Sequence, residues 1–243
     1  DSPGKSGMRK GLKPGTWDVL APLSNGDFVR LWLANGLWWQ AMWIEMMVLG
    51  WLALELTDSP WWVQVIGFYR SIPLLLIGLF GSAITDRFKR RHLVLTLQAA
   101  NVVAALSLAL LLWSGNLKFW HLSVVALAMG STWALDWPTR RSMIPDLVGK
   151  AQTVDAMVLE NFIQGFTRIS GPLAAGYIMA VYGNLGALII LVGLGLLSLL
   201  SLSGLKTDSQ APIKSVGIRA TWTEMRQGWI YIRESAPILG VFL

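Results

Sequence analysis

Five ionisable side chains stand inside long apolar stretches of this sequence: Glu45, Arg70, Asp136, Glu160 and Arg168. An ionised group at the centre of a bilayer costs roughly 3 kcal/mol or more, so such residues face a protein interior or a wet cavity. Asn161, Gln164, Arg168 and Pro172 follow one another at steps of three, four and four residues. That spacing puts them on one helix face. A polar stripe so deep in an apolar stretch is either the wall of an aqueous path or a set of hydrogen bonds that hold helices together. Glu45 shares a face with Ala34, Trp38 and Ala41, while Gln40 points the other way. A carboxylate in such a place must be neutralised by a proton or by a cation. Glu45 therefore either exchanges a proton or stays paired with Arg70, which lies at comparable depth. It is 14 residues past Leu31 and 11 before Leu56, whereas Glu160 is six past Val154. If the chain exchanges protons, Glu45 is the expected titrating group and Glu160 the next candidate, while Arg70, Asn161, Gln164 and Arg168 are the other candidates for the transport path. Trp32, Trp39 and Trp43 form another stripe on the same helix. Trp32 suits a membrane interface; Trp39 and Trp43 lie deeper, where they pack or stack on a ligand.

Other chemistries find little support. Cysteine is absent, which excludes disulfides, thiolate metal sites and cysteine nucleophiles. The two histidines, His92 and His121, sit at the ends of apolar stretches, where interfacial residues are commoner than ligands. Gly4-Lys5-Ser6 lacks the upstream glycine spacing and flanking strand of a phosphate-binding loop. With no Ser/His/Asp set and no catalytic carboxylate pair either, an enzyme is not expected, and neither a cofactor nor a metal is implied.

The elements that must position these residues follow from apolar run length. A helix needs roughly 20 mainly apolar residues to cross a ~30 Å hydrocarbon core. Six runs qualify: Leu31–Leu56, Pro60–Thr85, Leu93–Trp113, Phe119–Trp137, Val154–Val181 and Leu185–Leu205. Only 14% of residues are charged, against roughly 25% in soluble domains. The fold class expected is an all-α integral membrane protein, a six-transmembrane-helix bundle. Residues 1–27 read as a flexible polar tail, 28–205 as the bundle and 206–236 as a linker. Within that linker Trp222, Met225, Trp229 and Ile232 recur at helical spacing, as in a helix lying in the membrane interface. Residues 237–243 read as the start of a seventh helix.

Basic residues fall on alternate connections. The tail, the connections after the second and fourth runs and the segment after the sixth hold 17 of the 20 Lys and Arg. By the positive-inside rule those four segments, and the N-terminus, are cytoplasmic. The net charge of +6 is thus a topology signal. Nucleic-acid binding would need a water-exposed basic face with stacking aromatics, so the expected partner is a lipid bilayer and not a nucleic acid.

The connection after the second run reads Gly81-Ser-Ala-Ile-Thr-Asp86-Arg87-Phe-Lys-Arg90-Arg91. It resembles the signature loop of the major facilitator superfamily, with Ser82 where the glycine four places before Asp86 is usual. Phe28-Val-Arg-Leu-Trp32, Leu49–Pro60, Asp136–Val148 and Arg168–Gly176 look like the enterobactin-exporter-like branch of that superfamily. Gly171-Pro172-Leu-Ala-Ala175-Gly176 also resembles the fifth-helix motif of drug–proton antiporters, with Ala175 replacing a glycine. The resemblance implies an exporter of a small-molecule substrate in the bacterial cytoplasmic (inner) membrane, and the N-terminal half of a twelve-helix, two-bundle fold. It implies that Asp86, Arg87, Arg90, Asp136 and Arg140 form a cytoplasmic charge network that gates the two halves. It also implies that Gly171, Pro172 and Gly176 shape a bend in the fifth helix. In this architecture the substrate sits between two bundles that rock against each other. One bundle therefore works with a missing C-terminal half, pairs with another membrane subunit, or serves as a non-transporting structural subunit of a larger complex.

Overall fold

The computed structural model describes residues 18–78 and 88–206. Asp86 and Arg87, the proposed interfacial helix and the proposed seventh helix lie outside these residues. The described residues are helical throughout, with short connections. Helix α1 spans Gly26–Thr57, α2 Pro60–Gly78 and α3 Arg90–Trp113. The run Phe119–Ser203 is interrupted at Gly149 (φ 74°, ψ 168°) and Gly183 (φ 69°, ψ −177°). An L side chain rarely adopts that backbone conformation. The two glycines therefore divide the run into α4 (119–148), α5 (150–182) and α6 (184–203). Helix α1, helix α3 and the run Phe119–Ser203 are long and apolar enough to cross a membrane.

Two boundaries differ from the sequence expectation. The tail does not remain irregular to residue 27: Asp18–Ser24 forms a 3-10 segment, and Leu23 packs on the core. Asn25 then caps α1, its side chain accepting the N–H groups of Asp27 (2.9 Å) and Phe28 (3.2 Å). This satisfies donors that a helix start leaves open. The fourth helix does not stop near Trp137 but continues through Pro138 and Pro145 to residue 148. Proline removes a helix hydrogen bond, here those the Ala134 and Arg141 carbonyls would accept, yet the helix runs on, and its later carbonyls take side-chain donors from other elements. Arg90 Nη1 donates to Ser142 O (3.1 Å), and Asn25 Nδ2 donates to Leu147 O (2.7 Å). Arg140 consequently lies within a helix and is 2% exposed, rather than on a water-facing connection.

The core has two aliphatic layers. One joins Ile44, Val48 and Leu52 of α1 to Leu108, Ala126 and Leu188. The other joins Phe28 and Leu31 to Val94, Met143, Leu159 and Leu202. Polar and tryptophan side chains occupy the level between them: Asn35, Trp38, Trp39, Gln98 and Arg140. Small residues let the helices approach closely there. A Cβ on Gly130 would run into the Arg70 backbone carbonyl, and one on Gly171 into the Trp43 side chain.

Candidate functional site: a polar layer beside a tryptophan-walled cavity

Helix α1 carries Glu45 and α2 carries Arg70, and the two meet as a buried ion pair, each residue 7% exposed. The Arg70 guanidinium also lies 5.8 Å from the centre of the Trp133 ring, within cation–π range.

Arg140 is the hub of a second cluster. Its Nε donates to Asp136 Oδ1 (2.9 Å), one helical turn back on α4. Its Nη1 donates to Asn35 Oδ1 on α1 (3.1 Å), and Nη2 to Gln98 Oε1 on α3 (2.9 Å). Its guanidinium carbon sits 5.2 Å from the Trp38 ring centre. The planar fork of an arginine can serve three acceptors in fixed directions, which a lysine cannot. Asn35 then passes the cluster on, its Nδ2 donating to Glu160 Oε2 (3.0 Å). Glu160 Oε1 accepts a longer contact from Trp39 Nε1 (3.4 Å).

Helix α5 continues the stripe. Asn161, Gln164 and Arg168 line a cavity of about 820 Å³, together with Arg70, Trp39, Trp43, Trp133 and Trp137. Gln40, which the helical wheel turns away from Glu45, accepts a hydrogen bond from Ser170 on α5 (3.0 Å). Gly171 marks a close approach of α5 to α1 at Trp43, whereas Gly176 has open space where a Cβ would stand. The backbone keeps helical angles through Pro172.

Of the gating residues implied by resemblance, Arg90 pairs with Asp146 (2.6 Å) at the end of α4. Asp136 and Arg140 lie deeper, in the polar layer. Sequence reasoning did not single out Asn35, Gln98, Trp133, Trp137 or Asp146 as site residues. A lone amide inside an apolar run, as at Asn35 and Gln98, is the signal that could have found the first two. Among the described residues, no cluster of His, Asp and Glu could hold a metal ion.

The comparisons with known proteins agree with this architecture. The family described as "Transmembrane secretion effector", a major facilitator superfamily group, matches residues 17–243. The staphyloferrin A transporter of Staphylococcus aureus (strain NCTC 8325 / PS 47) is 30% identical over 141 residues, 58% of this chain. The matched stretch spans 36% of that relative's length. With its all-α architecture and a family match over nearly its whole length, the chain belongs to the transmembrane secretion effectors of the major facilitator superfamily, a superfamily of membrane transporters.

Proposed function

We propose that this chain supplies one wall of the cargo pathway in a small-molecule exporter of the bacterial cytoplasmic membrane. The observation that carries the reading is the cavity of about 820 Å³ bounded by α1, α2, α4 and α5. Its volume falls in the roughly 300–1,000 Å³ range of small-molecule sites, and its walls follow the same pattern of aromatic faces with a few convergent polar groups. Trp43, Trp133 and Trp137 offer the faces; Asn161, Gln164 and Arg168 offer the polar atoms. The opposite wall comes from a second bundle, carried by a C-terminal half or by another membrane subunit. The secretion-effector family supports outward movement. The Arg90–Asp146 pair, with the Asp86-Arg87 loop, is assigned to gating at the cytoplasmic end, where the N-terminus also lies.

The name of the relative makes staphyloferrin A the first cargo to test. Everted membrane vesicles containing the full-length protein should accumulate the cargo, and Arg168→Gln and Trp43→Ala should each lower the initial rate tenfold or more at equal protein level. Unchanged rates in both variants would remove the cavity from the cargo pathway.

A further inference from the structure

Charge balance inside the helices singles out one carboxyl group. The buried acids among the described residues are Glu45, Asp136 and Glu160, and the buried cations are Arg70 and Arg140. Arg70 is paired with Glu45, and Arg140 with Asp136. Glu160, 6% exposed, is hydrogen-bonded among the described residues by two neutral donors, the Asn35 amide and the Trp39 indole. Helix α1 turns these two uncharged side chains towards it. The charged groups facing it come from α4. Arg140 reaches it through Asn35, Asp136 lies behind Arg140, and Arg140 and the half-exposed Arg141 both attract it without forming an ion pair. On α5 itself, Asp155 and Arg168 are five and eight residues away.

We propose that Glu160 carries an exchangeable proton, and that Trp39 links its protonation to occupancy of the tryptophan-walled cavity. A carboxylate held in a low-dielectric layer without a paired cation is costly, and taking up a proton removes the charge. The proton has a place on Oε1. Oε2 already accepts a hydrogen bond of ordinary length from Asn35, whose own orientation is fixed because its Oδ1 accepts from Arg140. The Trp39 contact on Oε1 is long at 3.4 Å. On protonation, a hydronium ion gives up H⁺ and becomes water, an O–H bond forms at Oε1, and the Trp39 N–H, itself a donor, is turned away. On deprotonation that O–H bond breaks, the proton returns to water, and the indole contact is restored.

Trp39 is placed to transmit this change. Its ring borders the cavity and packs edge-on against Trp38 (4.8 Å between centres) and Trp137 (6.3 Å). A ligand that shifts the ring alters the donor offered to Glu160. By linkage, protonation of Glu160 then changes the affinity for that ligand by the same factor. What the coupling accomplishes rests on the transport reading; the proton site itself does not.

Infrared difference spectroscopy between acidic and alkaline buffer, on the full-length protein in phospholipid vesicles, tests the proposal without any cargo. A protonated-carboxyl C=O band should titrate, and it should move when the glutamate side-chain carboxyls are labelled with ¹³C. It should vanish in Glu160→Gln and persist when the Glu45–Arg70 pair is replaced as a whole by Glu45→Gln with Arg70→Gln, which strands no cation. Trp39→Phe should move its midpoint by about one pH unit, since hydrogen bonding to a carboxylate alters its proton affinity. A band insensitive to the glutamate label would belong to an aspartate such as Asp136 and overturn the assignment, whether or not any variant folds. Absence of a titrating band, or its survival in Glu160→Gln, would do the same. An unchanged midpoint in Trp39→Phe would remove the link to the cavity. A titrating Glu160 in a protein that moves no cargo would leave the proton site standing and end the transport reading.

Discussion

At Glu45 the negative charge meets a guanidinium; at Glu160 it meets an amide and an indole. Linear position along the helix made Glu45 the expected titrating group, because depth can be counted from a sequence. The cation that neutralises it sits on another helix, and which of two arginines pairs with which acid depends on packing that counting residues does not reveal. The pairing predicts a double-mutant result. Glu45→Gln strands Arg70 in a buried site and should lower stability by about 3–5 kcal/mol. Arg70→Gln in that background should recover part of the loss, measured by unfolding in detergent. Two losses that simply add would show that the pair contributes no coupling. Arg140 supports a second prediction. Arg140→Lys keeps the charge but cannot reach Asp136, Asn35 and Gln98 together. Losing two hydrogen bonds that involve a charged group should cost about 3 kcal/mol or more, read by the same unfolding measurement. Stability within experimental error of the unaltered protein would show that the three-way fork is not formed.

Helix positions were largely legible because hydrophobic run length reports bilayer thickness directly, and the short turn at Tyr182–Asn184 coincides with the break at Gly183. Helix ends were less so. The fourth apolar run ends at Trp137, yet α4 continues past Pro138 and Pro145, and Arg90 and Asn25 reach across to bind the Ser142 and Leu147 carbonyls in this added stretch. Those partners lie 52 and 122 residues away in the chain, beyond any local pattern. Glycines divide in the same way. Gly130 and Gly176 look alike in sequence, but only Gly130 has a neighbouring backbone where its Cβ would go. Gly130→Ala should force α4 away from α2 and cost about 1–3 kcal/mol. Gly176→Ala should be neutral or slightly stabilising, because the space is open and alanine is the better helix former. Thermal unfolding of the two variants side by side checks the contrast. Equal melting temperatures would mean that the α2–α4 contact is not as close as the structure places it.

Across the whole molecule, tertiary bonds group the helix ends into two sets. Asn184 Nδ2 donates to Glu55 (2.7 Å) and Trp62 stacks edge-on with Phe119 (4.8 Å), so the α1–α2, α3–α4 and α5–α6 turns share one end. At the other end Arg30 donates to Gly204 O (2.6 Å), Arg91 to Ser203 O (2.8 Å) and Arg90 to Asp146. The first end carries exposed Trp51, Trp61, Trp113, Trp120 and Tyr182. Aromatic side chains collect at the headgroup level, where a ring can sit in hydrocarbon with its polar edge in water. Among the described residues this end has Lys118 as its loop cation, while Lys89, Arg90, Arg91, Arg141, Lys150 and Lys206 gather at the other. Arg140, counted as a connection residue from sequence, is buried, and removing it leaves the asymmetry intact. The charge bias read along the chain is therefore also a bias between two physical ends, which strengthens the cytoplasmic assignment of the basic one. The absence of native cysteine makes this directly testable. In intact cells, a membrane-impermeant maleimide should label Ser59→Cys and Asn116→Cys at the aromatic end. It should reach Lys150→Cys only after the membrane is permeabilised. Labelling of Lys150→Cys in intact cells, with Ser59→Cys and Asn116→Cys protected, would invert the molecule, place the Arg90–Asp146 pair outside, and require the cavity to be re-read as a route for uptake.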